Sequence, residues 1–160
     1  MKQYFDKLKK YNRTHRLIGN VSCETLVSEA TKAIKNSEEL LRGYTTMVDV
    51  GSGSGILAYA WLNSSPDRRV IALEPDKKAL AFLVDVFAEE NRAIVIGERI
   101  ENLREQRVLD FCPDKARLFF AARAFSSNER LELLYLRSKL KFPLFIFEKN
   151  EDKCLMIKKF

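Results

Sequence analysis

The sequence predicts an α/β fold in which a mainly parallel sheet carries helices on both faces. From Met47 onward, short β-rich apolar runs alternate with segments of helical periodicity, a pattern typical of strands joined by helical crossovers. The chain has 160 residues, 46% hydrophobic and 31% charged, which fits one domain with a sizeable core. Its longest apolar runs, such as Ile56–Leu62, are far shorter than the roughly 18–20 residues of a membrane span. We therefore expect residues 1–160 to form a single domain.

Residues 1–43 are predicted to form a short helical lead-in to the sheet. A first amphipathic helix is indicated by three apolar residues at helical spacing, Phe5, Leu8 and Tyr11. A second helix is predicted over residues 24–41, and Gly43 follows where a helix can end. The apolar side of this second helix consists of Leu26, Ala30, Ala33, Ile34 and Leu41.

Residues 44–160 are predicted to form the core of the domain. The predicted strands are Met47–Val50, Arg69–Leu73, Ala93–Ile96, Arg117–Phe120, Leu144–Phe147 and Leu155–Ile157. The predicted helices are Ile56–Leu62, Asp76–Glu90 and Ser127–Lys139. Because a short polar segment separates the last two strands, we expect them to pair as an antiparallel hairpin, while the other strands run parallel.

The charge balance favours a polyanionic partner. Lysine and arginine number 28 against 22 aspartates and glutamates, which gives a net charge of +6 and a pI of about 9.3. A basic surplus of this kind favours nucleic acid. The first residues are charged and lack the apolar stretch of a signal peptide, so a cytoplasmic protein is expected. No metal-binding spacing is present, and reduced thiols are expected at Cys23, Cys112 and Cys154.

A glycine-rich loop joins the first strand to the first helix of the alternation. Gly51, Gly53 and Gly55 lie at positions x, x+2 and x+4, whereas the dinucleotide fingerprint needs its third glycine at x+5, which is Ile56. A Walker phosphate loop is excluded because no Gly-Lys-Ser/Thr follows. Ligands of open α/β sheets bind beyond the carboxyl ends of the strands, so this loop is the predicted ligand site.

Two acidic residues indicate the kind of ligand. Asp49 precedes the loop, where a carboxylate would repel phosphate and would suit a cationic or amino-bearing ligand. Glu74 ends the second strand, 23 residues after Gly51, where it could accept hydrogen bonds from both hydroxyls of a ribose. S-adenosylmethionine has a sulfonium, an α-amino group and a ribose, and is the predicted cofactor. The alternative is a purely structural β–α turn.

Several short segments share residues with one enzyme family. They are Tyr11–Leu17, Met47–Glu74, Glu74–Lys78 with Phe82-Leu83 after it, Glu98–Glu101, Ala122–Ser126 and Lys149. Together they resemble the GidB/RsmG family of class I S-adenosylmethionine-dependent methyltransferases, which methylates guanine N7 in 16S ribosomal RNA. The resemblance implies a Rossmann-like class I methyltransferase fold, S-adenosylmethionine as cofactor, and ribosomal RNA or a 30S particle as partner, with no metal and no membrane. We also expect a monomer.

The chain departs from the family pattern at two places. Family members carry a His-x-x-Asp-Ser segment before the glycine loop, and this chain has Glu29–Ala33 there. An aspartate usually precedes the Arg-Ala element by five positions, and this chain has Leu118 instead. The chain is also shorter than typical members.

The loop, the two acids and the resemblance together predict the cofactor-binding residues. The resemblance implies that the backbone of Glu98–Glu101 lies near the adenine. The predicted cofactor-binding residues are Asp49, Gly51, Ser52, Gly53, Gly55, Glu74, Pro75, Arg99, Ile100, Glu101 and Ala122.

Basic residues are predicted to hold the substrate. Arg123, at the end of the fourth strand, could hold a phosphate or contact the O6 side of guanine; the alternative is a salt bridge to Asp49 or Glu148 that supports the pocket. Lys149 could contact the RNA backbone; the alternative is a solvated lysine at the start of a turn. Phe125 could stack on the base, or pack against the sheet. The predicted RNA-binding residues are Lys9, Lys10, Arg13, Arg16, Arg123 and Lys149, and for the lead-in residues a solvated helix face is the alternative.

The predicted chemistry needs no general base. Guanine N7 has an exposed lone pair and loses no proton on methylation, so Arg123 and Lys149 are predicted to act by orienting the substrate for in-line methyl transfer. Two other functions stay open at this point. One is a small-molecule methyltransferase on the same fold, and the other is a catalytically degenerate RNA-binding protein.

Overall fold

The computed structural model describes residues 3–123, 142–152 and 154–159. The helices in these parts are α1 (Tyr4–His15), α2 (Cys23–Asn36), α3 (Ile56–Ser64), α4 (Lys77–Phe87) and α5 (Glu105–Phe111). The strands are β1 (Thr46–Val50), β2 (Arg69–Leu73), β3 (Ala93–Ile96), β4 (Leu118–Arg123), β5 (Leu144–Lys149) and β6 (Leu155–Lys159). None of the helices in these parts is long and apolar enough to cross a membrane. The helix predicted at Ser127–Lys139 lies outside the described residues.

The strands form one sheet in the order β3-β2-β1-β4-β5-β6. Strands β1 to β5 are parallel, and β6 pairs antiparallel with β5, so the predicted parallel sheet and the terminal hairpin are both confirmed. The chain moves from β1 to β2 on one side of the sheet and later places β4 on the other side. The strand order therefore reverses at β1, and the carboxyl ends of β1 and β4 flank the crevice where such sheets bind ligands.

Alternating residues of the strands build a core on each face of the sheet. Met47, Phe119 and Phe145 point to the face covered by α1–α4, whereas Val48 and Phe120 point to the face covered by α5. Each of these side chains is at most 1% exposed. The predicted placement of helices on both faces is therefore confirmed.

The lead-in helices are part of the first of these cores. Tyr4 and Leu8 of α1 are buried, and the Tyr4 ring stacks on Tyr59 of α3 with a centroid distance of 4.1 Å. Helix α2 begins with a capped turn, because the Ser22 hydroxyl accepts the Thr25 N–H at 3.1 Å. Its apolar side packs against α3 and β6. The lead-in is thus joined to the sheet by the same apolar contacts that hold the sheet together.

The second helix is shorter than predicted. It ends at Asn36, and not near Leu41, and Gly43 is not its terminating residue. Ser37 is the C-cap, and its N–H reaches the Ala33 carbonyl at 3.1 Å. Asparagine and serine compete with the helix for backbone hydrogen bonds, which favours an end here. Leu41 is nevertheless buried, because turns carry the chain back to the core.

Helix α5 was not predicted. Within this seven-residue helix, Val108 is the one residue that is fully buried. A single buried residue produces no helical repeat of apolar positions, so the periodicity that indicates a helix is absent from this segment.

The burial of Leu8 gives a test of the lead-in. Replacing Leu8 with alanine should lower the free energy of unfolding by about 2–4 kcal/mol, because the substitution leaves a cavity under α1. Urea denaturation followed by circular dichroism measures the change. Lys10→Ala, on the exposed side of the same helix, is the control and should stay within about 0.5 kcal/mol of the wild type. An equal effect of the two substitutions would show that the lead-in is not part of the core.

Candidate functional site

The glycine-rich loop turns tightly around the carboxyl end of β1. The Ser52 N–H donates to the Leu73 carbonyl at 2.9 Å, which holds the loop against the end of β2, and the Gly55 N–H donates to the Ser52 carbonyl at 2.8 Å. Gly55 has a φ of +73°, and a Cβ added there would lie 2.8 Å from Leu83 Cδ2. Only glycine therefore fits at the start of α3. In contrast, a Cβ added at Gly51 would meet open space, so this part of the loop backbone faces an open volume.

Asp49 is a carboxylate buried at the end of β1. It is 2% exposed, and the Ser52 hydroxyl donates to its Oδ2 at 2.7 Å. Burial raises the pKa of Asp49 to about 6, although the hydrogen bonds from Ser52 and from the Ala58 backbone and the charge of Arg123 act in the opposite direction. An anion in this position can bind a cationic group that enters from the open side of the loop.

Glu74 ties the end of β2 to the glycine loop. Its Oε2 accepts the Gly53 N–H at 2.6 Å, and its Oε1 accepts the Asp76 N–H at 2.8 Å. The sequence predicts that Glu74 accepts hydrogen bonds from a ribose. The structure shows that Glu74 also holds the glycine loop against the end of β2. Each carboxylate oxygen has a further lone pair, so Glu74 can also accept hydrogen bonds from a ligand. Pro75, the next residue, is exposed.

Strand β3, which precedes residues 97–101, ends next to Glu74 at the carboxyl edge of the sheet. The Glu74 N–H donates to the Ile96 carbonyl at 3.0 Å, so β3 and the end of β2 run together up to this point. Arg99 and Glu101 are exposed, whereas the Ile100 side chain is buried in the core on the α5 face. Ile100 could therefore contact a ligand only through its backbone.

Arg123 lies on the same face of the sheet as Asp49. Asp49 pairs in register with Ala121, and Arg123 is two residues further along β4. Burial lowers the pKa of the Arg123 guanidinium, and the negative charges of Asp49 and Glu29 oppose that shift. Ala122 is 3% exposed and packs on the other face. Asp49, one of the two partners predicted for Arg123, therefore interacts with it electrostatically.

Lys149 forms an ion pair that sequence reasoning missed. Its Nζ lies 3.2 Å from Glu29 Oε2, which joins the end of β5 to the middle of α2. The position of Glu29 in the sequence could have identified it. Glu29 begins the segment that stands where the family resembled by this chain has His-x-x-Asp-Ser.

The predicted RNA-binding residues of the lead-in lie on a different element from the group around Asp49. Lys10, Arg13 and Arg16 are exposed, and Lys9 forms an ion pair with Glu24 of α2. Helix α1 reaches the glycine loop through its first residue, since the hydroxyl of Tyr4 donates to the Ser54 carbonyl at 2.8 Å. The structure therefore connects this basic helix to the loop through its amino-terminal end.

The structure thus places two hydrogen-bonded pairs, Asp49 with Ser52 and Glu74 with Gly53, on consecutive residues of the loop, and the charge of Arg123 acts on Asp49. Phe125 lies outside the described residues. Within the described parts of the chain, no group of three or more His, Cys, Asp or Glu residues could hold a metal ion. The three cysteines are free thiols, and Cys154 is exposed.

The sequence matches one protein family and a set of named relatives. Residues 1–143 match the GidB family, described as rRNA small subunit methyltransferase G. A ribosomal RNA small subunit methyltransferase G from Helicobacter pylori (strain ATCC 700392 / 26695) is 32% identical over 119 residues, which cover 72% of this chain and 66% of that protein. The one from Nitrosomonas eutropha is 26% identical over 159 residues, covering 97% of this chain and 65% of that protein. The chain thus spans about two thirds of the length of these curated relatives.

Solved methyltransferase structures share the fold. The 23S rRNA methyltransferase ErmE superposes with a TM-score of 0.53 at 13% identity, covering 81% of this chain and 47% of that chain. The plantazolicin methyltransferase BpumL, in complex with a pentazolic desmethylPZN analog and SAH, superposes with a TM-score of 0.54 at 14% identity, covering 94% and 57%. These similarities confirm the predicted Rossmann-like methyltransferase fold.

The burial of Asp49 predicts a pH-dependent cost in stability. The folded protein binds the Asp49 proton with a pKa of about 6 and the unfolded chain with a pKa near the ordinary aspartate value of 3.8, so the folded state holds more protons between these values. Stability contributed by the protonated acid is therefore lost as the pH rises from about 4 to about 6. Relative to Asp49→Asn, the wild type should lose on the order of 3 kcal/mol over this window and stay level above it.

Urea denaturation of both proteins at a series of pH values between about 3.5 and 8 measures this difference. Subtracting the two curves removes the titration of all other groups, and Asp152→Asn in the exposed β5–β6 turn controls for the loss of one carboxylate. A difference between wild type and Asp49→Asn that does not change with pH would contradict the prediction.

Proposed function

This chain belongs to the GidB family of small-subunit ribosomal RNA methyltransferases, and we propose that it transfers a methyl group from S-adenosylmethionine to RNA. We further propose guanine N7 of the small-subunit 16S ribosomal RNA as the acceptor. The observation that carries the proposal is the group formed by two hydrogen-bonded pairs, Asp49 with Ser52 and Glu74 with Gly53, at the reversal of strand order.

The chemistry of this group fits S-adenosylmethionine. The buried Asp49 carboxylate would accept the α-amino group, and the remaining lone pairs of Glu74 would accept the ribose hydroxyls. The open space at Gly51 lets the ligand approach the loop backbone closely. Arg99, Ile100 and Glu101, which follow β3, would border the adenine. When bound, S-adenosylmethionine supplies an electrophilic methyl group on a sulfonium.

The protein side of the transfer is orientation. Arg123 and Lys149 extend from the carboxyl ends of neighbouring parallel strands, on the face that carries Asp49. They would hold a phosphate or the O6 edge of guanine so that N7 faces the methyl group in line with the sulfonium bond. Because N7 has a lone pair and no proton to lose, no group needs to act as a base. His15, the single histidine of the sequence, is exposed on α1 and is not required.

The lead-in and the net charge supply a surface for RNA. Lys10, Arg13 and Arg16 are exposed on or next to α1, and the chain carries a formal net charge of +6. Phosphate contacts of this kind position an RNA without reading its sequence. We propose that these residues, together with Lys9, hold ribosomal RNA or a 30S particle while one base enters the pocket. On this proposal the protein acts as a monomer in the cytoplasm.

Cofactor binding tests the first half of the proposal. Isothermal titration calorimetry should show that the wild type binds S-adenosylmethionine with micromolar affinity. Asp49→Asn and Glu74→Gln should each weaken binding by about tenfold or more, because each removes a charged acceptor. Affinity of the wild type should also fall as the pH is lowered through about 6, where Asp49 becomes neutral. Glu89→Gln, an exposed residue that follows α4, is the control and should bind like the wild type. A wild type without cofactor binding would refute the proposal.

Methylation of ribosomal RNA tests the second half. Unmodified 30S particles and naked 16S ribosomal RNA are incubated with the protein and S-adenosylmethionine, and the nucleosides are quantified by mass spectrometry. The wild type should produce 7-methylguanosine, and Arg123→Ala should lower the initial rate by about tenfold or more, since it removes an orienting cation. RNA binding that weakens with salt but yields no methylated nucleoside would instead favour the degenerate RNA-binding protein. Methyl transfer to another nucleoside would support the RNA methyltransferase activity and would show that guanine N7 is not the acceptor.

A further inference from the structure

Glu29 lies on α2, on the side of the lead-in that faces the end of the sheet. Its neighbours Val27 and Ala30 are buried in the core, and the Glu29 side chain is itself 28% exposed. Its Oε2 atom, however, has essentially no surface accessible to solvent and accepts no hydrogen bond from the described residues, so an ion pair is what can balance its charge. One oxygen of a carboxylate is thus enclosed between α2 and the strands below it.

The enclosed oxygen faces a cation of the sheet. Lys149 Nζ lies 3.2 Å from Glu29 Oε2, and the lysine side chain is 44% exposed. Lysine has a long, flexible side chain with many rotamers, so a fixed partner decides where its ammonium group lies. Here that partner comes from a helix far away in the chain, and it directs Lys149 toward α2.

The same carboxylate acts on Arg123. The negative charge of Glu29 raises the pKa of Arg123 against the effect of burial, and the charge of Asp49 does the same. Arg123 pairs in register with Phe147, and Lys149 is two residues further along β5, so both cations extend from the same face of the sheet. Asp49 also lies on this face.

The four charged groups lie together at the carboxyl edge of the sheet. Asp49 ends β1, Arg123 ends β4, Lys149 ends β5, and Glu29 is added from α2 above Arg123 and Lys149. Within this set, two carboxylates balance the charge of two cations. Without Glu29, the cations would repel each other, and Lys149 would lose the partner that fixes its position.

We propose that Glu29 is a positioning residue for methyl transfer: it holds Lys149, and through its charge Arg123, where these cations orient the RNA. The proposal rests on the proposed function, since it assigns these two cations to the substrate. It also explains how the lead-in takes part in the reaction, because α2 carries the group that positions them.

The central experiment compares Glu29→Gln with Glu39→Gln. Glutamine keeps the size of the side chain and removes its charge, and Glu39, ion-paired with Arg42 after the end of α2, makes the control similar in sequence and pairing. Glu29→Gln should lower kcat by about tenfold or more, because the orienting cations are displaced. KM for RNA and the Kd for S-adenosylmethionine should stay within about twofold, since the positioning acts on the bound substrate. Glu39→Gln should match the wild type.

A double substitution tests whether Glu29 acts through Lys149. If it does, adding Glu29→Gln to Lys149→Met should slow the reaction much less than Glu29→Gln slows the wild type, because the lysine is the shared route and only the effect of the Glu29 charge on Arg123 remains. Independent losses that multiply would overturn the proposal. So would a Glu29→Gln variant with higher affinity for RNA and an undiminished kcat, since Glu29 would then act as a competitor of the RNA phosphate.

A measurement that needs no activity separates this proposal from the proposed function. Acetylation of surface lysines by a soluble acylating reagent, read residue by residue by mass spectrometry, reports how firmly each ammonium is held. Glu29→Gln should raise the acetylation rate of Lys149 several-fold and leave that of Lys10 unchanged. If the wild type transfers no methyl group while this rate rises, the positioning contact is upheld and the proposed function fails. An unchanged rate for Lys149 would overturn the positioning contact whether or not the protein is active.

Discussion

The pairing of β1 with β2 on one side and β4 on the other is the constraint on which the candidate site depends. A parallel strand with a neighbour on each side has its backbone groups hydrogen-bonded along its length. At the carboxyl end of β1 the chain therefore leaves the sheet and continues into a loop. Because the strand order reverses at β1, the crevice where such sheets bind ligands lies above β1. Asp49 is the polar residue that this geometry places at the base of the crevice, and the hydrogen bond of Glu74 to the Gly53 N–H fixes the loop above it.

The buried carboxylate of Asp49 lowers the stability of the folded protein. A buried carboxylate is unfavourable even when hydrogen-bonded, and the pKa of about 6 records this penalty. Ser52 and the Ala58 backbone reduce the penalty without removing it. A cationic ligand would lower it further, so the same group that weakens the empty protein would strengthen the binding of an amino group. This loop differs from an ordinary β–α turn because it has a buried carboxylate beside it that lowers the stability of the fold.

The lead-in, residues 1–43, makes tertiary contacts that its sequence does not indicate. Its apolar residues extend the core beneath α1 and α2, its Tyr4 hydroxyl reaches the glycine loop, and its Glu29 reaches Lys149. It therefore contacts the glycine loop and a cation at the end of β5, in addition to carrying the basic surface that its sequence displays. This matters for a chain that departs from its family at the segment beginning with Glu29, because the departure lies in direct contact with a predicted substrate-binding residue.

The sequence by itself determined the order of strands and helices, the glycine loop and the two acids, because apolar periodicity and local loop chemistry are properties of short segments. It placed the end of α2 too late and gave no sign of α5, where only Val108 is fully buried and periodicity is absent. The tertiary structure alone decided two contacts: the hydrogen bond of Glu74 to the glycine loop, and the pairing of Glu29 with Lys149. Both depend on the register of parallel strands and on how a helix packs across them, and such contacts join residues whose spacing along the chain carries no information about their separation in space.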